Sequence, residues 1–166
     1  YLGDYEARFG LGLAAGNALY ATRSMAAGNP PALPHNLRPH TSTEECRYLR
    51  GAGLNYQHGH WHATAFASLR RLDARLEGDT VRSILATGLH RTLREMERKR
   101  NLRTVSAGGS VGFRNNRFQA SLNGAMTHFA LLYSPEPRTY TADAFRGTTC
   151  GNASLDYAAR LGRWLI

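Results

Sequence analysis

The residues best suited to chemistry are His58, His60 and His62, of which His60 and His62 stand at i, i+2 and would share one face of an extended strand. Two imidazoles so placed could share a metal ion. No carboxylate or thiol lies close in sequence to complete the site, so wet histidines beside a turn are the plainer reading. Thr127, His128, Ser134 and Asp143 supply the hydroxyl, imidazole and carboxylate used in acyl transfer. Such residues occur in any polar loop, and we expect neither an enzyme nor a cofactor. Gly108-Gly109 and Gly51-Gly53 resemble pieces of a phosphate loop, but no helix follows either, and glycines that relieve crowding in a wall explain them better. Arg50, Arg70, Arg114 and Arg117 could bias a pore toward anions. Ion pairs with Asp4, Glu6 and Asp156 account for them slightly better. Cys46 and Cys150 match no zinc spacing and are too few for a disulfide framework, although both stand where a long loop re-enters a strand.

Extended chain must position these side chains, because strict period-two alternation recurs. Over residues 1–13 the odd positions Tyr1, Tyr5, Ala7, Phe9, Leu11 and Leu13 are apolar, and Asp4, Glu6 and Arg8 take even ones. Next, Ala52, Leu54 and Tyr56 oppose a polar set of Arg50, Gly51, Gly53 and Asn55. His58-Gly59 reads as a two-residue turn, after which Trp61, Ala63, Ala65, Ala67 and Leu69 alternate with His60, His62, Thr64, Ser68 and Arg70. About that turn Tyr56 falls opposite Trp61. The design repeats with Val105, Ala107, Gly109, Val111 and Phe113, an Asn115-Asn116 turn suited to type I′, then Phe118, Ala120, Leu122, Gly124 and Met126. Here Phe113 falls opposite Phe118, and the polar partners are Ser106, Ser110, Arg114, Arg117, Gln119, Ser121, Asn123 and Thr127. A third copy sets Ala153, Leu155 and Tyr157 on one face with Asp156 on the other, turns near residues 160–162, and resumes with Trp164 and Ile166.

Long polar connections separate the hairpins, at about residues 14–47, 73–103 and 130–150. The first holds Pro30, Pro31, Pro34 and Pro39 and is expected to be extended and irregular. In the second, residues 92–100 (TLREMERKR) have the Glu and Arg spacing of a short exposed helix. No stretch approaches the roughly 18 to 20 apolar residues of a membrane helix, which excludes a helical membrane protein. The formal charge of +9 rests on arginine, since Lys99 is the only lysine among 21 basic residues. That surplus fits nucleic acid, lipopolysaccharide phosphate or an anion-attracting interior, and equally well a codon bias with solvated charges.

Alternation alone does not say which face is wet. Three features favour a membrane barrel over a soluble all-β binding module, our third alternative. Aromatics flank each tight turn on the apolar face: Tyr56 and Trp61, Phe113 and Phe118, Tyr157 and Trp164. Side by side they would form an interface girdle. Short turns and long loops segregate by end, as periplasmic turns and extracellular loops do. The apolar face is too rich in Ala and Gly, and the other too hydrophilic, for a dense soluble core. We therefore expect an all-β, antiparallel meander of about six strands, residues 1–166 forming one segment of a larger transmembrane barrel with no second domain. Tyr1 in place of Met and a strand pattern still open at Ile166 point to a piece of a longer precursor. On this reading Arg50, His60, His62, Arg70, Arg114, Arg117, Gln119, Asn123 and Asp156 face the lumen.

Several stretches resemble outer-membrane proteins of the Bacteroidota whose barrel follows an N-terminal helix-hairpin-helix region similar to the competence protein ComEA. They are Gly3-Asp4-Tyr5 with Phe9-Gly10-Leu11-Gly12-Leu13; Leu37-Arg38-Pro39 through Thr41-Ser42-Thr43-Glu44 to Arg50-Gly51; Thr87-Gly88-Leu89-His90-Arg91-Thr92 with Glu95; and Phe145-Arg146-Gly147 leading to Asp156-Tyr157. Leu11 stands where that family would have Gln. The resemblance implies a bacterial outer-membrane location, with the lipid bilayer and lipopolysaccharide as partners. Its helix-hairpin-helix region is not in this sequence, so DNA would be a partner only through that missing domain. The leading expectation is a non-enzymatic segment for anchoring or passage, and the alternative is a DNA-uptake role.

Overall fold

A pleat sends successive side chains to opposite faces, so alternation of apolar with short polar residues commits most of this chain to strands. The computed structural model describes residues 1–9, 36–41, 48–85, 91–137, 144–161 and 164–165, leaving aside the side chains at 36, 94, 160, 161, 164 and 165. The strands are β1 (Leu2–Arg8), β2 (Asn36–Pro39), β3 (Leu49–His58), β4 (Trp61–Leu72), β5 (Ala74–Glu77), β6 (Thr80–Ile84), β7 (Leu102–Arg114), β8 (Phe118–Tyr133), β9 (Gly147–Leu161) and β10 (Trp164–Leu165). One short helix, α1 (Leu93–Glu97), lies between β6 and β7. The fold is all-β, a single sheet curled into a half-barrel.

Along the wall the strands run β2-β1-β3-β4-β7-β8-β9-β10, and each adjacent pair is antiparallel. The six expected strands are β1, β3, β4, β7, β8 and β9. The sheet is nevertheless mixed and not a pure meander. β5 and β6 form a hairpin inside the expected 73–103 connection, and β6 runs parallel to β8 through Thr80 with Leu132 and Val81 with Tyr133. Four- and five-residue strands carry too few alternations to stand out among charged neighbours. β2, within the expected irregular connection, pairs with β1 on the outer edge of the sheet, where its Pro39 removes no central ladder bond. α1 begins at Thr92, whose hydroxyl accepts from the Glu95 N–H while the Glu95 carboxylate accepts from the Thr92 N–H: a capping box.

Both full hairpins turn one residue later than expected. Gly59 holds φ +56° and His60 is not left-handed, the sign pattern of a type II′ turn with Gly first. His58 therefore pairs with Trp61, and Tyr56 pairs with Ala63 instead of Trp61. In the second hairpin Arg114 pairs with Gln119 and Phe113 with Ala120 instead of Phe118. Asn115 lies outside the turn centre and its side-chain oxygen accepts from the backbone N–H of Arg117 and Phe118. Neither Asn116 nor Arg117 has positive φ, so the expected type I′ turn is not formed. Each pairing moves by two residues, which leaves the side chains of both hairpins, Arg50 apart, on their expected faces.

β1 is the exception. Its register with β3, Gly3 with Gly51 and Tyr5 with Leu49, sends Tyr5 and Phe9 inward and fully buries them, although the odd residues were expected outside with Leu54 and Trp61. Tyr5 and Phe9 pack with Leu37 and Phe66. Glycine makes room: a side chain at Gly53 would strike Leu37, and one at Gly108 would strike Phe66. A second apolar cluster of Ala74, Val81 and Leu102 sits where the β5–β6 hairpin meets the far ends of β4, β7 and β8. The third turn, expected near residues 160–162, begins later, since Arg160 and Leu161 still belong to β9 and pair with Leu165 and Trp164. The expected strand positions 10–13, most of the first connection, Cys46, Asp143 and the Trp164 ring lie outside the described residues.

Candidate functional site

The inward face is laid out in rows by strand register. One row runs Thr64, Ser110, Asn123, Ser154 across β4, β7, β8 and β9; the next runs His62, Gly112, Ser121, Asp156. Their members Thr64, Ser110, Asn123, Ser121 and Asp156 are buried, Asn123 to 1% exposure and Asp156 to 4%. Burying polar groups costs stability unless they bond one another. Asn123 Nδ2 accordingly donates to Asp156 Oδ2 at 2.6 Å and to Ser154 Oγ at 3.2 Å. Ser106 and Thr127 hydroxyls meet at 2.9 Å two levels beyond the Asn123 row.

The outward face is the reverse. Leu54, Val111, Leu122 and Leu155 are 55% to 69% exposed. Register joins them with Tyr56 and Ala63 into one continuous band. At the turn end a row of His58, Trp61, Phe113, Ala120 and Tyr157 borders that band. Trp61 and Phe113 meet edge to face with centroids 5.3 Å apart. Tyr56 and Phe118 stand one level to either side, both exposed. At the other end the band stops on β4 and β7 after Leu69 and Val105, because the next outward pair is Arg71 with Arg103, while on β8 it runs on to Leu132. From Trp61 to Leu69 is nine residues, about 27 Å of strand at ~3.4 Å per residue.

The polar-face residues expected from the sequence divide into three groups. His62, Arg70, Gln119, Asn123 and Asp156 share the inward face, with Arg70 stacked on Tyr48 at 3.8 Å and donating to its carbonyl. Arg114 ends that face beside the turn and donates to Gln119 Oε1 at 3.1 Å. His60 and Arg117 sit in the exposed turns themselves, His60 Nδ1 lying 3.0 Å from the Arg114 carbonyl oxygen. Arg50 is a correction: its register aligns it with Ala52 and Leu54, the outward set, and its guanidinium grips Asp4 at 2.6 and 2.9 Å. Even spacing from Ala52 already carried that signal, and charge alone argued for the other face.

The histidines do not converge, since His58 faces outward, His60 caps a turn and His62 faces inward. Among the described residues no three His, Cys, Asp or Glu side chains gather to hold a metal ion. Thr127 and His128 point to opposite faces, His128 bonding Thr149. Sequence reasoning missed Arg71 and Arg103, each two positions beyond an apolar run and so legible as its boundary. Comparison with family models, curated proteins and solved structures finds no match for this chain.

Proposed function

We propose that this chain is part of the wall of a bacterial outer-membrane β-barrel, a non-enzymatic segment that anchors in lipid. The observation that carries the reading is inverted burial: serine, asparagine and aspartate are hidden while a leucine-bearing band stands open. In water that arrangement is costly, because an exposed leucine forgoes roughly 1.5 to 3 kcal/mol and large contiguous apolar patches are rare on soluble monomers. Against hydrocarbon the same band is favourable, and its length suits the 9 to 11 tilted residues of a membrane strand, about 25 Å of apolar height. The aromatic row at the turn end then lies at one interface. Lipid and lipopolysaccharide are its partners.

Between anchoring and passage, the inward packing of Tyr5, Phe9, Leu37 and Phe66 favours anchoring, because it fills space a pore would need. The test is Leu122→Arg on the open face. A soluble sheet would tolerate it within about 0.5 kcal/mol. A lipid-facing position near the midplane would lose about 2 to 4 kcal/mol, read by urea titration of chain folded into vesicles. Unchanged stability would sink the membrane reading.

A further inference from the structure

We propose that Arg71 and Arg103 together bind the phosphate of an anionic lipid headgroup, an inference that rests on the membrane reading above. The two residues are direct cross-strand partners on the outward face, one level beyond Leu69 and Val105, and both are exposed. Like charges directly opposite in a sheet cost stability. Neither guanidinium makes a hydrogen bond or ion pair among the described residues. Of the acids near this end, Asp73 accepts from the Arg100 N–H, Asp4 from Arg50, Glu77 from Arg82, Glu136 pairs with Arg75, and Glu97 forms no ion pair with either arginine among the described residues. The position therefore holds two adjacent positive forks where a hydrocarbon-facing band ends.

That boundary is the level of lipid phosphate, and basic residues there attract anionic lipids. Guanidinium planes match phosphate oxygens in bidentate pairs. Cross-strand partners lie about 4.5 to 5.5 Å apart at Cα, so two forks reach one phosphate from either side. The turn end presents Trp61, Phe113 and Tyr157 at the corresponding outward positions, while its arginines, Arg114 and Arg117, lie at the end of the inward face and in the turn itself, so a cross-strand pair of outward arginines stands only at the other boundary of β4 and β7.

For the test, the full chain is folded into phosphatidylcholine nanodiscs containing phosphatidic acid, and retained lipid is measured by native mass spectrometry. Wild type is expected to prefer phosphatidic acid about 30-fold. Arg71→Gln/Arg103→Gln abolishes the preference, Arg103→Gln alone lowers it to an intermediate value, and the exposed control Arg91→Gln/Lys99→Gln keeps it. Persistent preference in the double variant overturns the site, as does displacement of the lipid by inorganic phosphate, which would mark a free-anion site. Flotation of wild type with vesicles but without lipid preference sinks the site alone. No flotation with either lipid composition sinks the site together with the membrane reading.

Discussion

Asn123 ties the buried polar rows together, donating to Asp156 and Ser154 from a nearly solvent-free position. Asn123→Leu would place an apolar side chain among buried polar ones and take from Asp156 the donor that holds its carboxylate. Removing the donor to a buried acceptor costs more than the bond contributes, because the acceptor keeps its desolvation penalty. We expect a loss of about 3 kcal/mol, seen as a lowered urea midpoint, whereas Ser154→Ala should cost ~1 kcal/mol or less. Equal effects from the two changes would show that the amide is not the organising donor. Sequence made Asn123 and Asp156 legible as members of one face, through alternation. Their bond required the register of β8 with β9, which depends on a connection whose length the alternation does not fix.

The strands of the main wall were legible because each carries four or more alternations, as Trp61 to Leu69 does. What alternation could not fix was where each turn begins, since sliding a hairpin by two residues preserves both faces. Gly59 decides the first turn: at φ +56° a side chain is strained, so Gly59→Val should cost about 1 to 2 kcal/mol while Gln57→Val, on the regular strand, should not. Thermal melts of the two variants would separate them, and equal midpoints would refute the turn assignment. β1 was misread for a different reason. Its odd residues are apolar, but Gly51 and Gly53 open the inward side of β3, and Tyr5 lies there with its hydroxyl 2.7 Å from the Ala67 carbonyl oxygen and 3.0 Å from that of Ala52, its one hydrogen shared between them. α1 was legible from its spacing, and it should respond to pH. The backbone N–H of Arg91, then that of Thr92, holds the exposed Glu95 carboxylate below the ordinary 4.5. A lowered pKa means capping is complete above 4.5 and fades as pH falls through the lowered value. The protection of the amides of residues 93–97, taken relative to the intrinsic exchange rate at each pH, should therefore fall on acidification below 4.5. In Thr92→Ala, which removes the reciprocal hydroxyl acceptor, exchange should be faster even at neutral pH, by an amount matching about 1 kcal/mol.

At the scale of the molecule, the half-barrel poses a hydrogen-bonding problem. β9 pairs with β8 along one side, and on its other side the described pairing with β10 involves only Arg160 and Leu161. From Gly147 to Ala159 no strand among the described residues pairs along that second side. In water such an edge is tolerable; in hydrocarbon each unmet group costs several kcal/mol, which is why only closed sheets cross membranes. If the outward leucines face lipid, that edge must be joined by a further strand, whether from elsewhere in the protein or from another copy. The two claims stand or fall together, since Leu155 lies on the strand that forms this edge. Amide exchange in bilayers tests the linkage: β9 amides directed away from β8 should be protected to the same degree as those of β7 and β8, whose neighbours are known on both sides. Protection should vanish from that edge first when the protein is transferred to a mild detergent that loosens subunit or strand closure. Rapid exchange along the β9 edge in intact bilayers, beside protected β7 and β8, would mean an open sheet, and an open sheet cannot present Leu54, Leu122 and Leu155 to hydrocarbon at an acceptable free energy.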